Sequence, residues 1–542
     1  MVGLRRLIGV LVCVLGVSAP ADADVVTDWS SITISTIGAG APVPGPGRLI
    51  EYAMVHIAMH DAVQAIQQRF ETYSSGNTPT TGSVIAAAAK AARDVLVNRF
   101  PAQTETLDAA YSAYLAAHQI ASNDGGIAAG AQAAAAIIQQ RVNDGAYPAP
   151  SPTFFGGTAP GQWRPTVFTA TGEPVSMAIP WMATTMPFTV RHADHFFSPG
   201  PPRLTSRGYT RDYNEVKALG RDVGSSRTPE QTAIATFHSG NTLVLWNQTL
   251  RSLADRYATN VGDSARLFAL VIMAMADAAM TSWHQKIKYN VWRPDTAIQL
   301  GDSDGNRSTV GDPAWRPLFA NPNYPDYTSG ANSLAGAATE VLRLFFRTDQ
   351  VNFSMIGPAS SRFFTRFSDA ANEVVDARMY MGIHFRFANS AARSSGMRVA
   401  RWAYKYYLRS DDGEEFDFLR ALETIEDIDT IEDDDNQDDG QNEDDAEYPT
   451  SGRWNRLHSC TGGHETRRTL LTFCGESGAV AMTRTNARSQ PALRARQLAP
   501  AAVGRRSSLA QHFEPGAQTA APAILPSLPS SSQSAFHGRG ST

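Results

Sequence analysis

From about residue 50 the chain repeats one pattern, apolar residues spaced three and four apart in segments too rich in alanine to be strands. EYAMVHIAMHDAVQAIQQRF is the first of these segments. SVIAAAAKAARDVLVNRF, ETLDAAYSAYLAAHQIA and GGIAAGAQAAAAIIQQRVNDG follow it, closed by polar residues or glycine. Alanine loses no side-chain entropy in a helix, so such runs favour helix over any alternative. The pattern breaks over 145–205, where YPAPSPTFFGG, APGQWRP and SPGPPRL spell a long ordered connection. It resumes around 229–258, 263–288, 330–347, 367–380 and 389–408. Alternating strand patterns are scarce. The body is therefore expected to be all-α, one large helical bundle or two packed together. At 43% hydrophobic residues in 542, the chain can fill such a core.

The two ends differ from the body. Residues 1–23 carry Arg5 and Arg6, a short apolar run LIGVLVCVLGV and the A-x-A-like Ala21-Asp22-Ala23, the layout of an export signal. The apolar run is too short for a bilayer, and no other stretch is expected to span one. The mature protein is expected to be soluble and periplasmic or extracellular. Residues 411–450 form an acidic run, expected to be solvated and disordered. Residues 451–542 are rich in Arg, Ser, Pro and Ala, lack apolar periodicity, and are expected to be disordered as well. The folded body is thus expected over 24–410. Of the three cysteines, Cys13, Cys460 and Cys474, none lies in that body, which excludes a disulfide framework or a cysteine metal site there.

Three segments of the body carry chemistry. The first runs from Lys286 to Arg293-Pro294 with six residues between the two cations. The second is Tyr324-Pro-Asp-Tyr-Thr-Ser329-Gly330-Ala331-Asn332-Ser333, at a helix start. The third is Arg378-Met-Tyr-Met-Gly-Ile-His384. Arginine and lysine make charge-assisted hydrogen bonds to oxyanions, arginine in a fork. Ser329 and Gly330 stand where backbone N–H groups are unpaired and the helix dipole is positive. Glycine lets a ligand approach the backbone. His384 adds a nitrogen able to attack phosphorus or to ligate a metal-oxo centre. Together these residues suit a multiply charged tetrahedral oxyanion.

The order and spacing, K-x6-RP, then a Ser-Gly helix start, then R-x5-H, resemble the signature shared by vanadium-dependent haloperoxidases and type 2 phosphatidic acid phosphatases. The flanks DAAMTSWHQKIKYNVWRPDTAI, DPAWRPLFANPNYPDYTSG and ARMYMGIHFRFA resemble the secreted bacterial branch of that superfamily, as do EYAMVHIAMHDAV and the opening VVTDWSSI. The resemblance covers about 24–408 and implies helical bundles of the haloperoxidase and acid phosphatase type. It further implies that Lys286, Arg293 and Arg378 hold equatorial oxygens. Ser329 and the Gly330 N–H would donate to another oxygen. His384 would be the axial ligand of vanadate, or the phospho-accepting nucleophile of a phosphatase.

Two positions depart from the signature. The acid–base histidine expected after Ser-Gly is Ala331, and the carboxylate expected behind the last histidine is replaced by Ala388 and Asn389. Asn389 could accept from the imidazole more weakly than aspartate. Asn332 could donate to an apical oxygen, and His284 is the nearest candidate to replace the lost acid–base group. Other readings stand beside these. Arg378 could pair with Asp376 or Glu373. His56 and His60, four apart on one helix with Asp61 adjacent, offer two of a metal's ligands, but their Ala/Met/Ile surroundings read as core. Trp283, Tyr289 and Trp292 read as packing, with Trp292 a possible pocket wall.

The implied activity is oxidation of a halide by hydrogen peroxide with vanadate as cofactor, with acid–base catalysis impaired at Ala331. The rivals are a phosphatase acting on a phosphomonoester through His384 without a cofactor, and an oxyanion binder with little turnover. All three imply small-molecule partners. No basic stripe in the body points to nucleic acid. The sequence sets no oligomeric state.

Overall fold

The computed structural model describes residues 24–410 apart from 41–44, 76–77, 258–259 and 358. The export signal, the acidic run and the C-terminal tail lie outside the described residues. Helix α1 spans Val25–Ala39, α2 Leu49–Gln67, α3 Val84–Arg99, α4 Thr104–Ala117 and α5 Gly125–Gln140. After the long connection come α6 Arg207–Leu219, α7 Pro229–Phe237, α8 Thr242–Arg256, α9 Val261–Tyr289 and the short α10 Pro294–Gln299. The last three are α11 Gly330–Phe346, α12 Phe367–Tyr380 and α13 Arg386–Tyr406. A single antiparallel hairpin, β1 Phe353–Ile356 with β2 Ser361–Phe364, is the sheet among the described residues. The all-α reading holds.

Sequence spacing found most of these helices but left α1, α6 and the short α10 unread and merged α7 with α8. The stretch 229–258 is two helices, because Asn241 caps a new start by accepting from the N–H groups of Leu243 and Val244. Helix α6 also went unread. Its buried residues Tyr209, Asp212, Tyr213 and Val216 do fall at helical spacing, but charged residues crowd its other face.

Helix α9 is the axis of the fold. It packs on α2 to one side and on α11 and α13 to the other. By length and composition it could cross a membrane, which corrects the expectation that no stretch beyond the leader could. Its apolar window is wholly buried, so here it is the core helix. Its one deeply buried carboxylate, Asp277, accepts from the N–H groups of Phe188, Thr189 and Val190 and so anchors the long connection to the core. That connection is ordered, as its aromatics predict: Trp163, Trp181 and Phe188 are buried.

Helices α11 and α13 approach closely, and glycine permits it. A Cβ on Gly336 would lie 2.3 Å from the carbonyl oxygen of Arg393, and one on Gly396 would lie 2.1 Å from that of Ser333. Backbone thus meets backbone on both sides. This contact fixes the start of α11 beside the start of α13, where two of the three chemical segments end.

Candidate functional site

The site lies where the loop before α11, the C-terminal part of α9 and the α12–α13 turn converge. Lys286 projects from the last turns of α9, Arg293 caps α10, Arg378 ends α12, and His384 sits just before α13. Lys286, Arg293 and His384 are buried, as are Ser329 and Gly330, and Arg378 is half-buried with its Nε enclosed. The three cations lie close enough to depress the basicity of His384, in the order Arg293, Lys286, Arg378, after the larger effect of burial. The imidazole is therefore held neutral.

Its tautomer is set by a residue that had been given no role. His384 Nδ1 lies 2.6 Å from Asp326 Oδ1, with the aspartate fully buried. Donation from Nδ1–H to the carboxylate leaves Nε2 with the lone pair. Burial pushes the Asp326 carboxyl up to about 7, against the pull of Arg293 and Lys286. The expectation that the imidazole's supporting carboxylate is missing is thus corrected. It comes from the segment ahead of Ser329, and its signal, an acidic residue inside Tyr-Pro-Asp-Tyr-Thr-Ser, was present in the sequence.

Asn389, expected behind the imidazole, instead accepts at 3.0 Å from Asn332 Nδ2 and donates to the Val375 carbonyl. Asn332 Nδ2 also donates to Ser329 Oγ at 3.1 Å. Both amides are buried within the scaffold, so Asn332 does not offer its N–H to an apical oxygen. Their effect on the site is indirect. Ser329 Oγ, already accepting from Asn332, is left to donate its own proton outward. Ser329 begins α11 without capping it by its side chain, which keeps that hydroxyl uncommitted.

Lys286 departs from its expected role. Its Nζ donates to the carbonyls of Pro325 and Asp326 at 2.8 and 3.1 Å and to that of Thr328 at 2.5 Å. It therefore ties down the loop that carries Asp326 and Ser329, and contributes charge at short range. Burial, then Arg293, pushes its basicity well down.

The two arginines keep N–H groups in reserve. Arg293 donates Nε to the Tyr324 carbonyl and Nη1 to that of Ile383, both at 2.6 Å, and its buried Nη2 has no partner. Arg378 donates Nη1 to the His238 carbonyl at 3.1 Å, and its buried Nε has no partner. The alternative pairs for Arg378 do not form. Asp376 binds Arg386, and Glu373 binds His238 and Arg362. Buried donors without acceptors are rare, and two of them converging here fit a bound oxyanion.

A cavity of about 210 Å³ reaches this cluster. Arg378, Gly330, Ala331, Trp283 and Tyr324 line its inner end. Tyr324 was passed over in the sequence. Its ring lies 4.9 Å from Lys286 Nζ and 4.8 Å from the Arg293 guanidinium carbon, and its centroid is 5.1 Å from that of Trp283. Trp283 is thus a pocket wall as well as a packing residue. Trp292 is not, because its Nε1 donates to the Tyr209 hydroxyl inside a separate apolar cluster. His284 faces away from the site, with Nδ1 at 3.1 Å from the Ala183 carbonyl and its ring against Phe197. It does not replace the lost histidine. His56 and His60 are core residues, and no group of potential metal ligands forms among the described residues.

The helical scaffold gathers three cations, a carboxylate-backed histidine and a helix start that no side chain caps. The likeness is to the vanadium haloperoxidases: residues 266–413 match the model of the vanadium chloroperoxidase second helical-bundle domain. All of the site residues named above lie inside that match. The vanadium chloroperoxidase of Curvularia inaequalis is 24% identical over 273 residues, which cover 37% of this chain and 44% of that protein. The match thus spans less than half the length of that relative. The fold is that of the first bacterial vanadium-dependent iodoperoxidase, with a TM-score of 0.61 at 23% identity over 73% of this chain and 99% of that one. A holo-type bacterial vanadium-dependent chloroperoxidase superposes with a TM-score of 0.55 at 18% identity, over 71% of this chain and 94% of that one.

Proposed function

We propose that this protein binds vanadate at the cation cluster and oxidises a halide with hydrogen peroxide. The observation that carries the reading is the pair of unpartnered buried donors, Arg293 Nη2 and Arg378 Nε, beside an imidazole whose Nδ1 is committed to Asp326. Arg293, Arg378, the Ser329 hydroxyl and the Gly330 N–H would hold the oxyanion's oxygens. His384 Nε2 would ligate it. Lys286 would hold the loop and add charge. Vanadate, when bound, supplies the Lewis acidity that activates peroxide toward a halide. The relatives' names support this choice of cofactor and reaction. The residues 1–23 support export as the setting.

Acid–base catalysis is the weak part of the site. Ala331 lines the cavity and carries no proton. Tyr324 and Thr242 line the same cavity and carry hydroxyls. A phosphatase would use the same His384 Nε2 as nucleophile on a phosphomonoester. Ala331 specifically favours a further reading, an oxyanion binder with slow turnover, since loss of a general acid–base group costs roughly 10²–10⁴ in rate.

The deciding measurement is the stoichiometry of vanadate bound by the wild type and by His384→Ala, with halide oxidation and hydrolysis of a chromogenic phosphate assayed alongside. One vanadate per chain, lost in the variant, with halide oxidation is the expected result. Phosphate hydrolysis inhibited by vanadate would select the phosphatase. Stoichiometric binding with neither activity would select the binder. No binding at all would overturn the site.

A further inference from the structure

A second cavity, of about 190 Å³, adjoins the one that reaches the oxyanion cluster. The two share Gly45, Asn241 and Leu243 as lining residues, so they are neighbours. The outer cavity has aliphatic walls from Ile34, Ile37, Leu243 and Val244, with Tyr52 beside them. It also contains a guanidinium that no acceptor among the described residues meets. Arg48 is only 8% exposed, and its Nη2 is buried without a partner. No hydrogen bond or ion pair to its guanidinium occurs among the described residues. Its contact is the Phe100 ring, 5.5 Å from the guanidinium carbon. The nearby carboxylate of Glu51 is already engaged by Arg99 and the Tyr147 hydroxyl.

Arg48 plays no part in the oxyanion cluster, and a packing role does not explain it. Burying a guanidinium without an acceptor is costly, and an aliphatic or neutral side chain would fill the same space without that cost. The residue also stands at the start of α2, where the helix dipole adds positive potential. We propose that this cavity binds a small aromatic carboxylate, with the carboxylate on Arg48 and the ring between the aliphatic walls, next to the cavity that Ala331 and Arg378 line. A planar guanidinium matches a carboxylate as a fork. The volume exceeds the ~150 Å³ that admits a benzene ring in a protein interior. Gly45, which lines both cavities, puts no side chain between them.

The use of such a ligand rests on the haloperoxidase reading. Peroxide and a proton convert the halide to hypohalous acid and water. At the ring, a carbon–halogen bond forms as the oxygen–halogen and carbon–hydrogen bonds break. The ring proton leaves with the hydroxide as water. A ring held by Arg48 would meet the oxidant before bulk water dilutes it.

Binding and turnover are tested apart. Isothermal titration of the vanadate-free full chain with 4-hydroxybenzoate, and with phenol as the uncharged control, reads the site alone. The wild type is expected to bind the carboxylate at least tenfold more tightly than phenol. Arg48→Met should erase that preference, Arg48→Lys should keep part of it, and Val244→Trp should abolish binding of both by filling the cavity. Thermal unfolding of each variant shows that it is folded. The proposal is overturned if the wild type does not discriminate the two ligands, or if folded Arg48→Met still does. Discrimination in a wild type that oxidises no halide would uphold the carboxylate site and reject the peroxidase reading.

Discussion

His384 and Asp326 form a buried pair, Nδ1 to Oδ1 at 2.6 Å, that joins the turn before α13 to the loop before α11. The pair fixes which ring nitrogen faces the ligand, and it does so from a segment 58 residues upstream. Asp326→Asn keeps an acceptor for Nδ1–H but removes its charge. It should weaken vanadate binding roughly 10- to 100-fold, while Asp326→Ala should do worse. Equilibrium dialysis against vanadate checks this. Unchanged affinity in folded Asp326→Ala would show that the pair serves the scaffold alone.

Ala331 is a vacancy in the chemistry, with room around it. The position is 8% exposed and lines the 210 Å³ cavity with Arg378 and Tyr324. Ala331→His should raise halide oxidation, by up to about 10², with little change in vanadate affinity. In the same assay Tyr324→Phe keeps the ring against Lys286 and Arg293 and removes the hydroxyl. If the phenol transfers the proton in the wild type, its loss should slow turnover about tenfold or more, and Ala331→His should restore it. Equal rates in wild type and Tyr324→Phe would remove Tyr324 from proton transfer.

Lys286 should act on the anion through the loop as well as through its charge. Its three N–H groups are spent on the carbonyls of Pro325, Asp326 and Thr328. Lys286→Met removes both the charge and the tether, and should weaken binding of inorganic phosphate about tenfold or more. Isothermal titration with phosphate measures it, with thermal unfolding to show that the variant is folded. Unchanged affinity in the folded variant would confine the lysine to the scaffold.

The core histidines make the fold acid-sensitive. Burial pushes His56 down to about 3 and His60 to about 4, while the unfolded chain titrates near 6.5. Between these values the unfolded state binds more protons, so stability is full above pH 6.5 and is lost as pH falls. For each residue the loss by pH 5 is about 2 kcal/mol. His56→Gln should therefore narrow the difference in unfolding free energy between pH 7 and pH 5 by about that amount. Urea unfolding at the two pH values measures it. An unchanged difference would mean that His56 is protonated in the native state.

The sequence by itself determined the helices and the identity of the anion-binding residues. Helical periodicity is local, and alanine-rich segments state it without help from neighbours. Lys286, Arg293, Ser329, Gly330, Arg378 and His384 could be named because charge, a helix start and fixed spacing are all written along the chain. What each of them does was decided by tertiary structure. Lys286 could be seen as a cation, but only the folded loop shows its ammonium spent on three carbonyls. Asn332 and Asn389 had the right chemistry to serve a ligand, and the close α11–α13 contact turns them toward each other. Arg48 carried no sequence signal of function, and Asp326 only that of an acidic residue inside the Tyr-Pro-Asp-Tyr-Thr-Ser segment. A carboxylate becomes a histidine's partner, and an arginine becomes an unpaired buried charge, only when distant segments pack. Periodicity and residue type record short-range preferences, while partner and burial are properties of the whole fold.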